Sequence, residues 1–177
     1  MPDRPFGRGL VQVYTGAGKG KTTAALGLSI RAVGHGLRVF IAQFMKGVTY
    51  GELRTLLGIP NITIRQFGSS HWIIPGQIKE EDKQLAFAGF ERACEAISSG
   101  QYDLAILDEI NVALSFGLLP LGPILDLIAT KPLQVELVLT GRNAPREVID
   151  LADLVTEMVP IKHPFQKGVP ARRGIEW

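Results

Sequence analysis

The chain has 177 residues, of which 46% are hydrophobic and 20% are charged, and its formal net charge is +2. This length and composition fit one α/β domain over 1–177 with a sizeable core, while the small net charge argues against a nucleic-acid partner. The single cysteine, Cys94, excludes an internal disulfide and a multi-cysteine metal site. The segment 1–9 reads as a polar N-terminal tail, and no apolar run is long enough to span a bilayer, so we expect a cytoplasmic protein with no membrane partner.

Strand-like and helix-like stretches alternate along the chain. Strands are expected at 10–14, 37–44, 62–67, 104–107, 135–140 and 154–160, and helices at 22–33, 80–98, 121–129 and 145–152. Apolar strands alternating with helices predict a mostly parallel central sheet covered on both faces. Ligands of such sheets bind at the carboxyl ends of the strands, so the loops at those ends should converge. Two long irregular stretches, 68–77 and 163–177, are candidates for segments that lie over a ligand.

The most informative motif is a phosphate-binding loop at 14–23, where an apolar strand is followed by Tyr-Thr-Gly-Ala-Gly-Lys-Gly-Lys-Thr-Thr. Glycines in such a loop let backbone N–H groups face phosphate oxygens, and the following helix N-terminus favours negative charge. Lys21 would reach the outer phosphates, and the Thr22 hydroxyl would bind Mg²⁺. The usual pattern has glycine at the position of Thr15, so ordinary ATPase or kinase chemistry is not assumed. The alternative is a glycine-rich turn without a ligand.

A second signal is the apolar strand at 103–109, which ends in Asp108 and Glu109. Downstream of a phosphate loop, acids at a strand end are typical of carboxylates near Mg²⁺, a cation that prefers oxygen ligands. Which acid contacts the metal directly is left open. The alternative is a pair of solvated acids at the end of a strand.

Three polar residues follow other predicted strands. Lys46 could bind a phosphate or a substrate carboxylate, or could be a solvated loop lysine. Arg142 could clamp a phosphate through two hydrogen bonds. Asn143 is also a candidate cofactor-binding residue, although a residue in this place is more often a cap of the helix that begins near Pro145.

Two large aromatic residues, Phe67 and Trp72, flank a Gly-Ser-Ser-His segment. Exposed rings in a loop suggest a flat apolar partner, although ordinary anchoring in the core is the alternative. His71 is expected to be a surface histidine of this loop. Neither a nucleophile–base pair nor the spacing of a zinc site is evident in the sequence.

Together these motifs resemble the ATP:corrinoid adenosyltransferases of the enteric bacterial type, also called cob(I)yrinic acid a,c-diamide adenosyltransferases. The resemblance spans 9–177. It is carried by Thr-Gly-x-Gly-Lys-Gly-Lys-Thr-Thr at 15–23, Gln-Phe-Met-Lys-Gly at 43–47, Leu-Asp-Glu at 107–109, Thr-Gly-Arg-Asn-Ala-Pro at 140–145 and Lys-Gly-Val-Pro-Ala-Arg-Arg-Gly-Ile-Glu-Trp at 167–177. The threonine that departs from the usual phosphate loop is itself typical of this family.

The resemblance implies a P-loop (RecA-like) three-layer α/β fold and a homodimer. It also implies transfer of the 5′-deoxyadenosyl group of ATP to the Co(I) of a reduced corrinoid, with the triphosphate leaving intact. In the family the nucleotide lies with reversed polarity, which exposes the ribose C5′ to cobalt. The implied cofactors are ATP as co-substrate and Mg²⁺ or Mn²⁺, and the implied electron donor is a reduced flavoprotein or a similar protein.

The resemblance also implies roles for individual residues. The triphosphate would be surrounded by Thr15, Gly16, Ala17, Gly18, Lys19, Gly20, Lys21, Thr22 and Thr23. Thr22 and Glu109 would hold the metal with Asp108 behind them, and Lys21, Thr22 and Glu109 would be the catalytic residues. Ala17 replaces a residue that is more often polar, which leaves backbone contacts there. The corrinoid-facing loop of the family is commonly Gly-Phe-Thr-Trp, whereas Phe67 and Trp72 are five positions apart, and Trp72 is the preferred corrinoid-facing ring.

Other functions remain as alternatives. A P-loop ATPase or kinase would cleave between the β- and γ-phosphates and release ADP. A GTPase is disfavoured because the chain has no Asn-Lys-x-Asp motif. A RecA-like nucleic-acid module would show salt-dependent binding to single-stranded DNA, and the lack of a stripe rich in Lys and Arg argues against it.

Overall fold

The centre of the fold is a parallel sheet of six strands, seen in a computed structural model that describes residues 7–48 and 51–176. Part of the expected N-terminal tail and the final residue of the C-terminal motif therefore lie outside the described residues. The strands are β1 (Val11–Thr15), β2 (Val39–Phe44), β3 (Ile62–Phe67), β4 (Leu104–Asp108), β5 (Glu136–Thr140) and β6 (Leu154–Glu157). Their spatial order is β3-β2-β4-β5-β1-β6, and every pairing between them is parallel. The predicted fold class is confirmed.

Six helices connect and cover these strands in the described part of the chain. They are α1 (Lys21–Gly34), α2 (Gly51–Leu56), α3 (Glu80–Ser98), α4 (Ile110–Ser115), α5 (Leu121–Thr130) and α6 (Arg146–Leu151). A short 3₁₀ turn at Pro164–Lys167 interrupts the C-terminal segment. The sequence did not predict α2 and α4, which have six residues each, too few to show a helical period. The last strand was predicted too long, because β6 ends at Glu157 rather than at residue 160.

The two faces of the sheet carry separate apolar cores. Alternate side chains of β2 point to opposite faces: Phe40 and Phe44 belong to the core under α3 and α5, and Val39 and Ile41 to the core under α1. All four side chains are fully buried. Burial on both faces explains why the inner strands are continuously apolar, and it fixes the register of the strand ends.

The carboxyl ends of the strands form one edge of the sheet, and the five loops after β1 to β5 and the C-terminal segment after β6 leave from it. The neighbouring strands β2 and β4 continue in opposite directions, to β3 on one side and to β5 on the other, so a crevice opens between their loops, as in other open α/β sheets. Side chains of the loops after β1, β2, β3, β4 and β5 all reach the same cavity. The predicted convergence of these loops is therefore confirmed.

Candidate active site

The phosphate loop joins β1 to α1 and forms the floor of a cavity of about 680 Å³. Gly20 is the residue before the helix and has φ 114°, a conformation that glycine adopts without strain. The cavity is lined by Gly18, Lys19, Gly20, Lys21, Thr22, Thr23, Leu26, Lys46, Gly51, Glu52, Trp72, Glu109, Arg142, His163, Gly174, Ile175 and Glu176. Its walls therefore combine a helix N-terminus with several cations, an arrangement that suits a polyphosphate.

Lys21 is the first residue of α1, and its side chain turns back into the phosphate loop. The ammonium donates hydrogen bonds to the carbonyl oxygens of Gly16 at 2.8 Å and Gly18 at 2.6 Å. Burial lowers the pKa of Lys21, and nearby Arg142 lowers it further, whereas Glu109 and Asp108 oppose that change. The carbonyls hold the cation at the cavity floor, where anionic oxygens could replace them as partners.

The first half of the loop packs on the chain that follows β6. A Cβ atom at Gly16 or at Gly18 would lie 2.5 Å from the carbonyl oxygen of Met158, so neither position has space for a side chain. The Gly18 amide, which the sequence analysis assigned to phosphate, donates to that same carbonyl at 2.6 Å. Ala17 is exposed and does not line the cavity.

Thr15 has a structural partner in the loop that follows β5. Its side chain is buried, and its Oγ1 accepts a hydrogen bond of 3.2 Å from the Ala144 amide. Glycine at this position would lose that link between two loops of the site. The contact gives a physical reason for the unusual threonine, and Thr15 does not line the cavity.

Asp108 is fully buried below the cavity, and its carboxylate accepts four hydrogen bonds. Its Oδ1 accepts from the hydroxyls of Thr22 at 2.8 Å and Thr140 at 2.7 Å. Its Oδ2 accepts from Lys46 at 2.9 Å and from the Gln43 amide at 3.2 Å. Both carboxylate oxygens are thus occupied by protein donors, so Asp108 orients the residues that face the ligand.

Glu109 follows Asp108 and lines the cavity. Its backbone is left-handed, with φ 64°, and its amide donates to the Thr140 hydroxyl at 3.0 Å. Burial and the adjacent Asp108 raise the pKa of Glu109, while Lys46 and other cations partly offset that increase. A carboxylate held in this way gains most from a cation that enters the cavity.

The oxygens of Thr22 and Glu109 suit a hard divalent cation, whereas the saturated Asp108 suits indirect support. Among residues 7–48 and 51–176, no cluster of three or more His, Cys, Asp or Glu side chains is arranged to hold a metal. The protein's donor set therefore fits a cation that takes most of its ligands from water and from a nucleotide, as Mg²⁺ commonly does.

Lys46 is a largely buried, ion-paired residue, so its interpretation as a solvated loop lysine is wrong. Its ammonium contacts Asp108 at 2.9 Å and Glu52 at 3.3 Å, and only 14% of its side chain is exposed. Burial would lower the pKa of Lys46, but Asp108 and Glu52 outweigh it and raise the pKa. Lys46 is therefore a fixed positive charge in the cavity wall.

A second cavity, of about 560 Å³, adjoins the first. Four residues line both cavities, namely Lys46, Trp72, Glu109 and Arg142. The rest of its lining includes apolar side chains of three loops and of α4, among them Met45, Ile73, Val112 and Phe116. The second cavity has fewer charged residues in its lining than the first, and the two cavities meet at a shared boundary.

The two aromatic candidates lie in different environments. Trp72 is 88% exposed and stands at the shared boundary of the cavities. Phe67 packs inward, where its ring lies 6.3 Å from that of Phe44 and covers the backbone of Gly89. Phe67 lines neither cavity and matches the core-anchoring alternative.

Arg142 and Asn143 follow β5 at the mouth of the site, and both are exposed. Asn143 lines the second cavity in a left-handed conformation, with φ 57°. Its predicted role as a helix cap is wrong, because Pro145 precedes the first turn of α6 and no side chain caps it. Of the four non-glycine residues with positive φ in the described chain, Met45, Glu109 and Asn143 all belong to loops at this edge, a clustering typical of functional sites.

The C-terminal segment closes one side of the first cavity. Glu176 accepts a hydrogen bond of 2.6 Å from Lys19 in the phosphate loop, and Arg172 contacts the same carboxylate through its backbone amide and its guanidinium. Hydrogen bonds from Arg172 and then from Lys19 lower the pKa of Glu176 to about 2. The described part of this tail therefore borders the first cavity, and its position over a ligand stays a prediction.

Several residues of the site were not singled out from the sequence as candidates. Gln43 and Thr140 belonged to quoted motifs, so their motif positions were the available signal. Glu52 lies on the unpredicted helix α2, and its contact with Lys46 has no sequence signature. Such partners are recognised only when the fold brings their loops together.

A phosphate loop between strand and helix, acids at the end of a neighbouring strand and a parallel sheet define a P-loop nucleotide-binding protein. None of its described helices is long and apolar enough to cross a membrane. The family model of ATP:corrinoid adenosyltransferase BtuR/CobO/CobP matches residues 7–177, and the chain belongs to this family.

Curated relatives agree with this assignment. The corrinoid adenosyltransferase of Escherichia coli K12 is 36% identical over 170 residues, which cover 96% of this chain and 86% of that protein. The corrinoid adenosyltransferase CobA of Salmonella typhimurium matches to the same extent. The corrinoid adenosyltransferase of Pseudomonas aeruginosa is 35% identical over 171 residues, covering 96% of this chain and 84% of that protein.

Proposed function

We propose that this protein transfers the 5′-deoxyadenosyl group of ATP to the Co(I) centre of a reduced corrinoid and releases triphosphate. The family assignment supports this reaction. The observation that carries it is the boundary between the two cavities, where Lys46, Trp72, Glu109 and Arg142 line both. A nucleotide in the charged cavity and a flat ring in the adjoining one could meet at that boundary.

In this proposal Co(I) is the nucleophile and supplies the electron pair of the new Co–C5′ bond. The C5′–O5′ bond breaks, its electron pair leaves on the triphosphate oxygen, and the cobalt becomes Co(III). No proton moves in this step, so no general base is required. The work of the protein is to align C5′ with cobalt and to stabilise negative charge on the leaving group.

The cations of the first cavity fit that work. Lys21 at its floor and Arg142 at its mouth would contact the triphosphate, while Lys46, fixed by Asp108 and Glu52, adds positive potential at the boundary. Buried and pre-positioned charges stabilise a leaving anion more effectively than solvated ones. Mg²⁺ or Mn²⁺, held by Thr22 and Glu109, would supply further neutralisation of the triphosphate.

Trp72 is the group we assign to the corrinoid face. Its exposed ring would lie against the flat macrocycle in the second cavity, and it could displace an axial ligand from Co(II) and so make reduction easier. One electron from a reduced flavoprotein or a similar donor would then give Co(I). The packing of Phe67 against Phe44 and Gly89 favours Trp72 over Phe67 for this role.

We further infer a homodimer in the cytoplasm, where ATP and reduced flavin are available. Support for a dimer comes from exposed apolar side chains on and after the edge strand β6, since such edges usually acquire a partner. They include Val155, Val159, Ile161 and Phe165. Light scattering coupled to size exclusion measures the mass of the assembly, and a monomeric mass at micromolar concentration would contradict the homodimer.

The reaction is tested by anaerobic incubation with ATP and a chemically reduced corrinoid. The expected results are the visible spectrum of an alkylated Co(III) corrinoid and one triphosphate for each product molecule. Lys21→Ala should keep the fold and lose the activity. Release of ADP would instead identify the P-loop ATPase or kinase, and near-normal turnover of the Lys21 variant would remove the phosphate loop from the mechanism.

A further inference from the structure

The loop that carries Trp72 connects β3 to α3 and contains no helix or strand over 68–79. The indole is 88% exposed, so few contacts of its own hold it at the boundary of the cavities. A ring that acts on a ligand must nevertheless be held in one place, because a mobile side chain loses entropy when the ligand binds. The residues that fix this loop therefore decide where the ring stands.

One fixed point is the crossing of this loop with the loop after β2. A Cβ atom at Gly47 would lie 2.3 Å from the Ser69 carbonyl oxygen, and one at Gly68 would lie 2.4 Å from the Lys46 amide nitrogen. The two backbones are thus in direct contact. This crossing places the start of the Trp72 loop beside the cation shared by the two cavities.

The second fixed point is a buried carboxylate at the start of α3. Asp82 is 2% exposed, and its Oδ2 accepts from the Lys79 amide at 3.1 Å. Its Oδ1 accepts from the Ser69 hydroxyl at 2.7 Å and lies 3.2 Å from Nε2 of His71. His71 is a partly exposed histidine of this loop, and the buried acid holds its ring.

Burial alone would raise the pKa of Asp82, but hydrogen bonds from Ser69 and the Lys79 amide outweigh it and lower the pKa. Asp82 is therefore charged near neutral pH and is a strong acceptor. Hydrogen bonds to an ionised group are stronger than those between neutral groups. One carboxylate thus fixes both the first turn of α3 and the two residues on either side of Ser70.

The same three residue types form the catalytic triad of hydrolases, but this geometry is different. In a triad the histidine uses one ring nitrogen for the serine and the other for the acid. Here Nε2 of His71 faces both Ser69, at 3.3 Å, and Asp82, and the serine hydroxyl donates to the acid directly. The cluster therefore serves to anchor the loop rather than to activate a nucleophile.

We propose that Asp82 is a positioning residue that acts through Ser69 and His71 to hold Trp72 at the boundary of the two cavities. His71 lines the second cavity beside Trp72, so the anchor lies directly next to the ring that it fixes. The effect of this anchor on catalysis rests on the proposed function, whereas its effect on the position of Trp72 does not.

The test uses Ser69→Ala and His71→Asn, which remove the contacts to the loop and leave the Asp82–Lys79 contact at the start of α3. Ser98→Ala, the same substitution at an exposed residue of α3 that lines neither cavity, is the matched control. In an assay that starts from Co(II) corrinoid, with reduced flavin supplying the electron, each of the first two variants should lower kcat/KM for corrinoid by about 10-fold, with KM for ATP unchanged. The control should match the wild type.

A double-mutant cycle separates positioning from a general structural effect. If the anchor acts through the indole, Ser69→Ala should cost little more in a Trp72→Ala background. The proposal would be overturned if the losses in kcat/KM caused by Ser69→Ala and Trp72→Ala multiply in the double variant. It would also be overturned if the single variants keep wild-type kinetics for corrinoid.

A measurement without catalysis keeps the two proposals distinguishable. In a Trp177→Phe background Trp72 is the remaining tryptophan, and its fluorescence anisotropy reports how firmly the ring is held. Ser69→Ala should lower this anisotropy, and Ser98→Ala should not. An unchanged anisotropy would refute the anchor even if adenosylation occurs, whereas a protein without adenosylation but with the expected anisotropy change would refute only the proposed function.

Discussion

Asn in place of Asp108 is the most demanding test of the site, because it keeps the size of the side chain and removes its charge. The carboxylate now accepts four hydrogen bonds and is fully buried. The asparagine amide has one acceptor oxygen and one NH₂ group. Its NH₂ group must face either the two threonine hydroxyls or the two nitrogen donors, Lys46 and Gln43. Only the hydroxyls of Thr22 and Thr140 can accept, so the NH₂ group should turn towards them and the oxygen towards Lys46 and Gln43.

Most of the loss in stability comes from removing the negative charge that pairs with Lys46. Removing one partner of a buried ion pair costs about 3–5 kcal/mol, and the remaining Glu52 should keep the loss near the lower end, about 3 kcal/mol. A chain of this length loses about 2–4 °C in Tm for each kcal/mol, so we expect a decrease of about 6–12 °C. Adenosyl transfer should fall as well, since the Thr22 hydroxyl loses its acceptor.

Calorimetry and urea unfolding of the nucleotide-free protein measure this loss. The control is Glu95→Gln, which breaks a solvent-exposed pair with Arg92 at 2.8 Å and should change stability by less than about 1 kcal/mol. A Tm of Asp108→Asn within about 2 °C of the wild type would refute the view that this carboxylate organises the site. A change in the slope of unfolding free energy against urea concentration would instead indicate that the variant alters the compactness of the native or the unfolded state.

The other predictions concern three carboxyl or aromatic groups of the same cavities. Glu109→Gln should raise the Tm of the nucleotide-free protein while lowering activity. Because burial raises the pKa of this acid, the gain in stability should be absent below the ordinary glutamate pKa and should grow as the pH rises from there through the raised pKa. A variant that is less stable than the wild type at pH 7 would contradict this. Trp72→Ala should slow the reaction from Co(II) corrinoid far more than from pre-reduced Co(I), and equal losses would exclude the axial-ligand role. Glu176→Gln should tighten ATP binding by up to about fivefold at low salt, since phosphate no longer competes with a carboxylate for Lys19. With a Glu176 pKa of about 2, this effect should be constant from pH 5 to 8, and calorimetric titration that shows weaker binding would reject the competition.

The sequence predicted the parts of the fold that have a long period or a chemical signature. The continuous apolar strands and the 19-residue helix α3 appear where they were expected. The helix α4 was missed because it begins directly after Glu109, whose left-handed backbone replaces any loop with recognisable turn residues. Local propensity cannot reveal a turn that is imposed by burial at the end of a strand.

The site was predicted less completely for a related reason. Lys21, Thr22 and Glu109 occupy motif positions, and they do line the cavity. The residues that fix them act across long sequence separations, as the Lys19–Glu176 pair does. Nothing near Glu176 in the sequence indicates a partner in the phosphate loop.

The distribution of charge explains how such a site can favour group transfer at the sugar carbon over phosphate hydrolysis. Asp108, the buried acid below the phosphate loop, is neutralised by Lys46 and by hydrogen bonds from two hydroxyls, whereas Glu109 lies at the boundary of the cavities. Lys21 and Arg142 interact with Glu109 and would also balance the charge of a bound triphosphate. A substrate that supplies its own electron pair needs no base, so adenosyl transfer would draw on the cations of this cavity rather than on proton transfer. In the proposed reaction the protein contributes alignment and positive charge, and the reactivity comes from Co(I) itself.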